Sequence, residues 1–395
     1  MICLISFLNR FFLVIAVCLS LSVLAACATD TTALKQQTLP EQFGPGPLRI
    51  AVLPFENMSG KAAPLKPLKQ SAVNRLKALG FSILDDTALD RFMTAHRLRY
   101  TGGVDAQTAQ QFKSELGVDA VLITNIELYD DAAPPKIALL SRLVSTGEPP
   151  SILWMNGVSL AGDESPGILG VGLIEDPSKL TEKALGSLFG SMMDHSSGKT
   201  GTMNIGRWGY GPRAVFASPV LQRGKRYTIA IVPFTNKSAR RNAGDLVELH
   251  FAEQLVRRGD FEVVEPGIVR QNLLNLRLVM PEGISLSDID VLFDLLNTDL
   301  VLIGTVFEYQ DQQQGRTGTP KVGFSTFLID RASRRIIWSS GSHNGGDDYI
   351  YAFDWGKVYT AHELMSRMAA KIVRILHEKL YSEPKGMLTG TLPKS

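Results

Sequence analysis

The sequence contains very little cysteine. It has three cysteines in 395 residues, Cys3, Cys18 and Cys27. Two of these fall within the N-terminal apolar segment, and no thiol follows residue 27. A disulfide, a thiolate metal site and a cysteine nucleophile are therefore excluded from the body of the protein.

An excess of charge of one sign is also lacking. Lys and Arg total 41, Asp and Glu total 39, and the formal net charge is +2. Because nucleic-acid binding leaves a basic footprint, we expect no nucleic-acid partner. The hydrophobic share of 45% is ordinary for a packed protein. A mature chain of roughly 370 residues is long enough for two cores.

Motifs for catalysis, metals and nucleotides are missing as well. The six histidines are scattered, and no two have the spacing of a helical zinc site with a glutamate between them. We therefore predict no metal site and expect the histidines to be at the surface or partly buried. Residues 196–200 resemble part of a phosphate-binding loop, but Met193 stands where that motif needs a glycine. The sequence thus predicts no catalytic residue, no bound nucleotide and no other cofactor.

The first 27 residues have the pattern of an export signal. Arg10 is the only charge before residue 30, and residues 11–26 are almost entirely apolar. That stretch is too short for a membrane-spanning helix and suits a signal peptide. It ends in Leu24-Ala25-Ala26-Cys27, which resembles a bacterial lipobox, where cleavage leaves Cys27 to be acylated with chains such as palmitate. An ordinary signal peptide or an uncleaved anchor is the alternative.

The residues after Cys27 indicate where the body lies. Ala28 rather than Asp follows the cysteine, which in enteric bacteria resembles the signal for delivery to the outer membrane. Residues 28–47 are polar, contain three prolines and lack an apolar period, which predicts a flexible tether. We therefore expect a lipid anchor in the outer membrane and a body on its periplasmic face.

Two distant segments have nearly the same sequence. Residues 50–57 read IAVLPFEN, residues 229–236 read IAIVPFTN, and Pro54 and Pro233 lie 179 residues apart. Farther on, DAVLI at 119–123 answers DLVLI at 299–303. This period is too long for a solenoid repeat, so the sequence predicts two tandem copies of one domain. A residue shared by both copies, such as the proline that ends the strand or the asparagine that caps the next loop, is expected to serve the scaffold.

Each copy shows the same order of β-rich runs and helical periods, followed by a hairpin of long strands and a closing helix. This order predicts an α/β fold: two tandem copies of a mixed-sheet domain with helices packed on one face of the sheet. The predicted organisation is 1–26 signal peptide, 27–47 tether, 48–194 first repeat, 195–226 linker, 227–381 second repeat and 382–395 C-terminal tail.

Aromatic residues are concentrated in one segment of copy two, between its last strand and last helix. They are Tyr349, Tyr351, Phe353, Trp355 and Tyr359. Aromatic side chains concentrate binding energy at interfaces, so these residues are candidates for partner binding. The alternative is that they cover the core beneath a long loop. Copy one has a glycine-rich segment instead, and the places where the copies disagree, 163–175 and 347–359, are candidates for specific binding.

The opening strand–Pro-Phe–x-Asn-x-Ser resembles the superfamily of the curli-secretion lipoprotein and the penicillin-binding-protein activators. So does the run Gly103-Val104-Asp105-Ala106, which leads into Leu116-Gly117-Val118-Asp119. The resemblance covers residues 48–194 and 227–381. It implies an outer-membrane lipoprotein facing the periplasm, although the named members usually have one such domain and this chain has two.

Two functions fit these patterns. The first is a non-enzymatic periplasmic lipoprotein that docks onto or helps assemble an envelope machine, with an envelope protein or a second copy of itself as partner. The alternative is an oligomeric, pore-forming secretion or export component like the curli lipoprotein.

Overall fold

The computed structural model describes residues 48–164, 172–197, 209–277, 286–311, 319–350 and 356–381. It contains two mixed β-sheets, each with helices packed around it, which confirms the predicted α/β class with two tandem copies. Both copies belong to a single compact unit. Within the described ranges, no helix has the length and apolar character needed to cross a membrane.

Copy one comprises six strands and four helices among the described residues. The strands are β1 (Arg49–Val52), β2 (Glu56–Asn57), β3 (Ser82–Ile83), β4 (Ala120–Asp130), β5 (Lys136–Ser145) and β6 (Ile152–Ala161). The helices are α1 (Leu65–Ala78), α2 (Asp86–Ala95), α3 (Ala106–Leu116) and α4 (Pro177–Ser196).

Copy two repeats this order after one additional strand. The strands are β7 (Ala214–Ala217), β8 (Tyr227–Ile231), β9 (Thr235–Asn236), β10 (Phe261–Val263), β11 (Leu300–Gln310), β12 (Lys321–Asp330) and β13 (Arg335–Gly345). The helices are α5 (Ala243–Arg258), α6 (Pro266–Asn275), α7 (Leu286–Leu296) and α8 (Ala361–Leu380).

The two sheets share one plan. The first has the order β3-β1-β4-β5-β6 with β2 also on β4, and the second has the order β10-β8-β11-β12-β13 with β9 also on β11. In each sheet the short strands pair in parallel and the long hairpin strands pair antiparallel. β7 lies within the predicted linker and adds an edge strand beside β13, a pairing that the sequence did not predict.

The duplicated sequence forms the same capped loop in both copies. After Pro54, the Asn57 side chain accepts a hydrogen bond from the Ser59 N–H at 3.0 Å and donates to the Lys61 carbonyl at 2.7 Å. Asn236 makes the matching two bonds at 2.9 and 2.6 Å. The predicted scaffold role of these asparagines is confirmed, because each satisfies backbone groups in a tight loop.

Helices lie on both faces of the first sheet, which corrects the expectation that they cover one face. On one face, α1 and α4 pack around Trp154. On the other, α2 and α3 cover the β1 side, while α5 and α8 of copy two reach β6. The same two helices pack on the second sheet around Trp338. α5 therefore lies between two sheets, which explains why it is buried on nearly all sides.

Candidate functional site

The face of the first sheet that receives α5 and α8 carries an ion pair between the copies. Arg142 on β5 donates to Glu265, which precedes α6, from Nε to Oε2 at 3.0 Å and from a terminal nitrogen to Oε1 at 2.9 Å. It also donates to the Gly102 carbonyl at 2.6 Å. Both charged side chains are fully buried. Burial lowers the pKa of Arg142, but the Glu265 carboxylate outweighs burial and holds it above its ordinary value.

A second polar cluster centres on Glu127 of copy one, at a bulge in β4. His250 Nε2 lies 3.0 Å and His362 Nδ1 lies 2.6 Å from the same oxygen, Oε2. The Tyr309 hydroxyl donates to Oε1. Burial would raise the pKa of Glu127, but the two imidazoles hold it well below its usual range. Burial lowers the pKa of His362, and the Glu127 carboxylate more than offsets this, so the net shift is upward.

Two buried atoms beside this cluster lack a hydrogen-bond partner. They are His250 Nδ1 and Glu253 Oε2, which lie 3.9 Å apart. The other oxygen of Glu253 accepts from the Gly157 N–H at 3.1 Å and from Arg257 at 3.2 Å. If His250 is neutral and donates from Nε2 to Glu127, its Nδ1 is an acceptor that faces a second acceptor. The arrangement therefore needs a proton or a cation to satisfy both atoms.

A polar cavity of about 180 Å³ lies between the copies. Glu56 of copy one and Asp245, Glu248 and Arg270 of copy two line it. Burial raises the pKa of Glu248 well above its ordinary value, and repulsion from Asp245 adds to that rise. One oxygen of Glu248 lacks a protein partner. A polar cavity of this size has room for water molecules that would satisfy it.

The expectation that the histidines are at the surface or partly buried is wrong for His250 and His362, which are 0% and 3% exposed. The spacing of histidines along the sequence did not predict this cluster. Its residues come from β4, α5 and α8, which belong to two different copies. A signal was present in the strands: Glu127 and Arg142 are ionisable residues within largely apolar runs. An ionisable residue in such a run is rarely buried without a partner.

Within the ranges that the structure describes, the matching face of the second sheet is not covered in this way. By strand register, Phe307 stands at the bulge position of Glu127, and Phe327 at the position of Arg142. Phe307 is 54% exposed, whereas Glu127 is 1% exposed. Among the described helices, α6 and α7 cover the β8–β11 side. Other residues on this side are half-buried or exposed. Six of them define what we name the open face: Phe216, Thr305, Phe307, Ser325, Phe327 and Ser339.

The candidate residues from the sequence are only partly described. Cys27, Tyr351, Phe353 and Trp355 lie outside the described residues, as does most of the glycine-rich segment of copy one. The two remaining aromatic residues, Tyr349 and Tyr359, are half-buried.

Tyr349 packs edge-on against Tyr210 with 4.7 Å between ring centroids, and Lys357 lies over the Tyr359 ring at 5.3 Å. Rings that cover a core make contacts of this kind, and so do rings at a protein interface. The partner-binding role of the aromatic segment stays a prediction.

No protein-family model and no curated protein matches the chain. Solved structures that are similar to it include the PelC dodecamer from Paraburkholderia phytofirmans, with 21% identity, a TM-score of 0.30, and coverage of 43% of this chain and 97% of that one. Lipoprotein GNA1162 from Neisseria meningitidis has 19% identity, a TM-score of 0.26, and coverage of 29% and 81%. The LpoB C-terminal domain from Escherichia coli has 14% identity, a TM-score of 0.24, and coverage of 29% and 82%. At these TM-scores the likenesses support no argument about function, and the superfamily resemblance stays a prediction.

Proposed function

We propose that this chain is a non-enzymatic lipoprotein, anchored to the periplasmic side of the outer membrane through Cys27, that docks an envelope protein on its open face. The observation that carries the proposal is the contrast between matched sheet faces. The face in copy one holds two helices of copy two, whereas its counterpart in copy two presents phenylalanines to solvent. Exposed aromatic groups of this kind mark interaction surfaces.

The matched face of copy one supports one choice of occupant. Because that face receives α5 and α8, the open face fits a helical segment of the partner with apolar side chains directed at Phe216, Phe307 and Phe327. A second copy of the chain is a poorer match. Its corresponding helix pair, α1 and α4, has a charged and solvated outer side that includes Lys66, Lys77, Lys179, Glu182 and Lys183.

Site-specific photo-crosslinking in cells tests this docking surface. A photoreactive phenylalanine analogue is placed at Phe327 on the open face or, as the matched control, at Ser187 on the solvated side of α4. We expect an adduct with one envelope protein at Phe327 and none at Ser187. The double substitution Phe216→Ser with Phe307→Ser should abolish the adduct without unfolding the protein, because both side chains are more than half exposed.

Three outcomes contradict the proposal. Equal adducts at both positions would show non-specific contact. An adduct composed only of this chain would favour self-assembly. Ion conductance by the purified protein in lipid bilayers would favour the alternative, an oligomeric pore-forming export component.

The anchor has a separate test. Metabolic labelling with palmitate should mark the wild-type chain and not the Cys27→Ala variant. Unchanged labelling of the variant would show that Cys27 is not the lipidation site.

A further inference from the structure

We propose that Glu127, His250 and His362 bind one zinc ion that links the two copies. The three side chains are buried, and their ligand atoms lie within 4.8 Å of one another. Two imidazole nitrogens and a carboxylate oxygen are a donor set that zinc uses in proteins. Glu127 comes from copy one, and both histidines come from copy two. The ion would therefore join the first sheet to α5 and α8.

The unsatisfied atoms beside the cluster need either a metal on His250 or a second proton on it, and the metal analysis below decides between the two. Without a metal, a neutral His250 reaches Glu127 only by donating from Nε2, which leaves Nδ1 bare beside Glu253 Oε2. With zinc on Nε2, the proton moves to Nδ1 and points toward Glu253. A ligating histidine that donates its second N–H to a carboxylate is the usual arrangement around protein-bound metals.

The two distances from the Glu127 oxygen permit this change with small movements. Donor atoms of a tetrahedral zinc site lie about 3.3 Å apart, given zinc–ligand distances near 2.0–2.1 Å. The Glu127 oxygen is 3.0 Å from His250 Nε2 and 2.6 Å from His362 Nδ1. Each nitrogen therefore has to draw back by less than about 1 Å to admit the ion. Closing the 3.9 Å gap between His250 Nδ1 and Glu253 Oε2 to a hydrogen bond needs a movement of about 1 Å.

The repeat itself sets the expected stoichiometry. Phe307 occupies the position of Glu127 in copy two and offers no ligand atom. The described residues contain no second group of this kind. We therefore expect about one zinc ion per chain rather than two.

Metal analysis of the full-length protein in detergent tests the site. After purification without chelators, we expect about one equivalent of zinc by mass spectrometry. His250→Gln and His362→Gln should each lower zinc content at least tenfold, and Glu253→Gln should weaken affinity about 10–100-fold while leaving every ligand in place. His343→Gln is the matched control, because this exposed histidine also pairs with a glutamate, Glu308.

Spectroscopy and unfolding distinguish a specific site from chance binding. Cobalt(II) in the chelator-treated wild type should give visible absorption from the bound metal, and His250→Gln should lose it. Added zinc should raise the melting temperature of the wild type and of His343→Gln. The proposal is overturned if chelator-treated wild type takes up no zinc, or if His343→Gln loses as much as His250→Gln. Zinc uptake by the wild type needs no ligand variant, and Glu253→Gln keeps every ligand in place, so both measurements still test the site if His250→Gln misfolds.

Discussion

The two copies use equivalent sheet faces in opposite ways. In copy one, the face that carries Glu127 and Arg142 is sealed by α5 and α8 and holds its charges in pairs. In copy two, the corresponding positions are Phe307 and Phe327, which are exposed or half-buried. In most proteins, hydrophobic residues lie inside and charged residues lie at the surface. Here the pattern is reversed, because the buried face carries charges and the solvated face carries phenylalanines. The first face is therefore an internal joint, and the second is the surface that we propose for docking.

Among the tests of this contrast, removal of Arg142 should have the largest effect on stability. Because Arg142→Met leaves Glu265 charged and unpaired in the interior, we expect the free energy of unfolding to fall by about 3–5 kcal/mol. Phe327→Ala at the matched position should cost far less, because that side chain is only half-buried. Denaturant unfolding followed by circular dichroism measures both changes.

A double substitution tests whether the unpaired charge causes this loss of stability. Arg142→Met combined with Glu265→Met replaces the whole pair with apolar groups and should recover most of the loss. If the single and double variants are equally unstable, lost packing rather than an unpaired charge is the reason.

The next largest effect on stability is expected at a pair of matched glycines. A methyl group at Gly157 would lie 2.8 Å from His362 Nε2, whereas one at Gly341, the same position in copy two, would meet nothing within 4 Å. We expect Gly157→Ala to cost about 1–3 kcal/mol through overpacking. Gly341→Ala should change stability by about 0.5 kcal/mol or less. Equal losses in melting temperature would show that the second face is covered too.

A smaller effect should appear in the pH dependence of stability. Burial raises the pKa of Asp245 above its ordinary value of 3.8, only partly opposed by Arg270. The folded state therefore binds this proton more tightly than the unfolded chain. The resulting stability is fully present below about pH 4 and is lost as pH rises through the folded pKa.

Asp245→Asn cannot titrate, so its stability relative to wild type should increase from pH 4 to pH 7. Asp194→Asn, at an exposed position on α4, is the control. Parallel curves of melting temperature against pH for all three proteins would contradict the expectation.

The smallest effect on stability is expected when Phe307 of copy two is replaced by glutamate, the residue at the matching position of copy one. Phe307 is 54% exposed, so Phe307→Glu should alter the free energy of unfolding by about 0.5 kcal/mol or less. Chemical unfolding of the variant measures the change. A loss of several kcal/mol would mean that this side chain is covered in the free protein.

The sequence predicts the fold better than the joint between the copies. Local patterns were sufficient for the duplicated strands and the asparagine-capped loops, because those features depend on neighbouring residues. The inter-copy clusters depend on residues as far apart as Glu127 and His362, and no local period encodes that distance. The expectation of one covered face failed as well. On the second face of the first sheet, α2 and α3 of copy one cover the β1 side, and α5 and α8 of the other copy reach β6.

The order of synthesis gives the charged joint a further consequence. Arg142 leaves the ribosome 123 residues before Glu265. During that interval, the part of this face that α5 and α8 later cover has no helix on it. If this face were apolar, the chain would aggregate during that interval, because transiently exposed hydrophobic surface promotes association. A face that carries Arg142 and Glu127 stays hydrated until its partners arrive, so the same charges that are costly to bury protect the half-made protein.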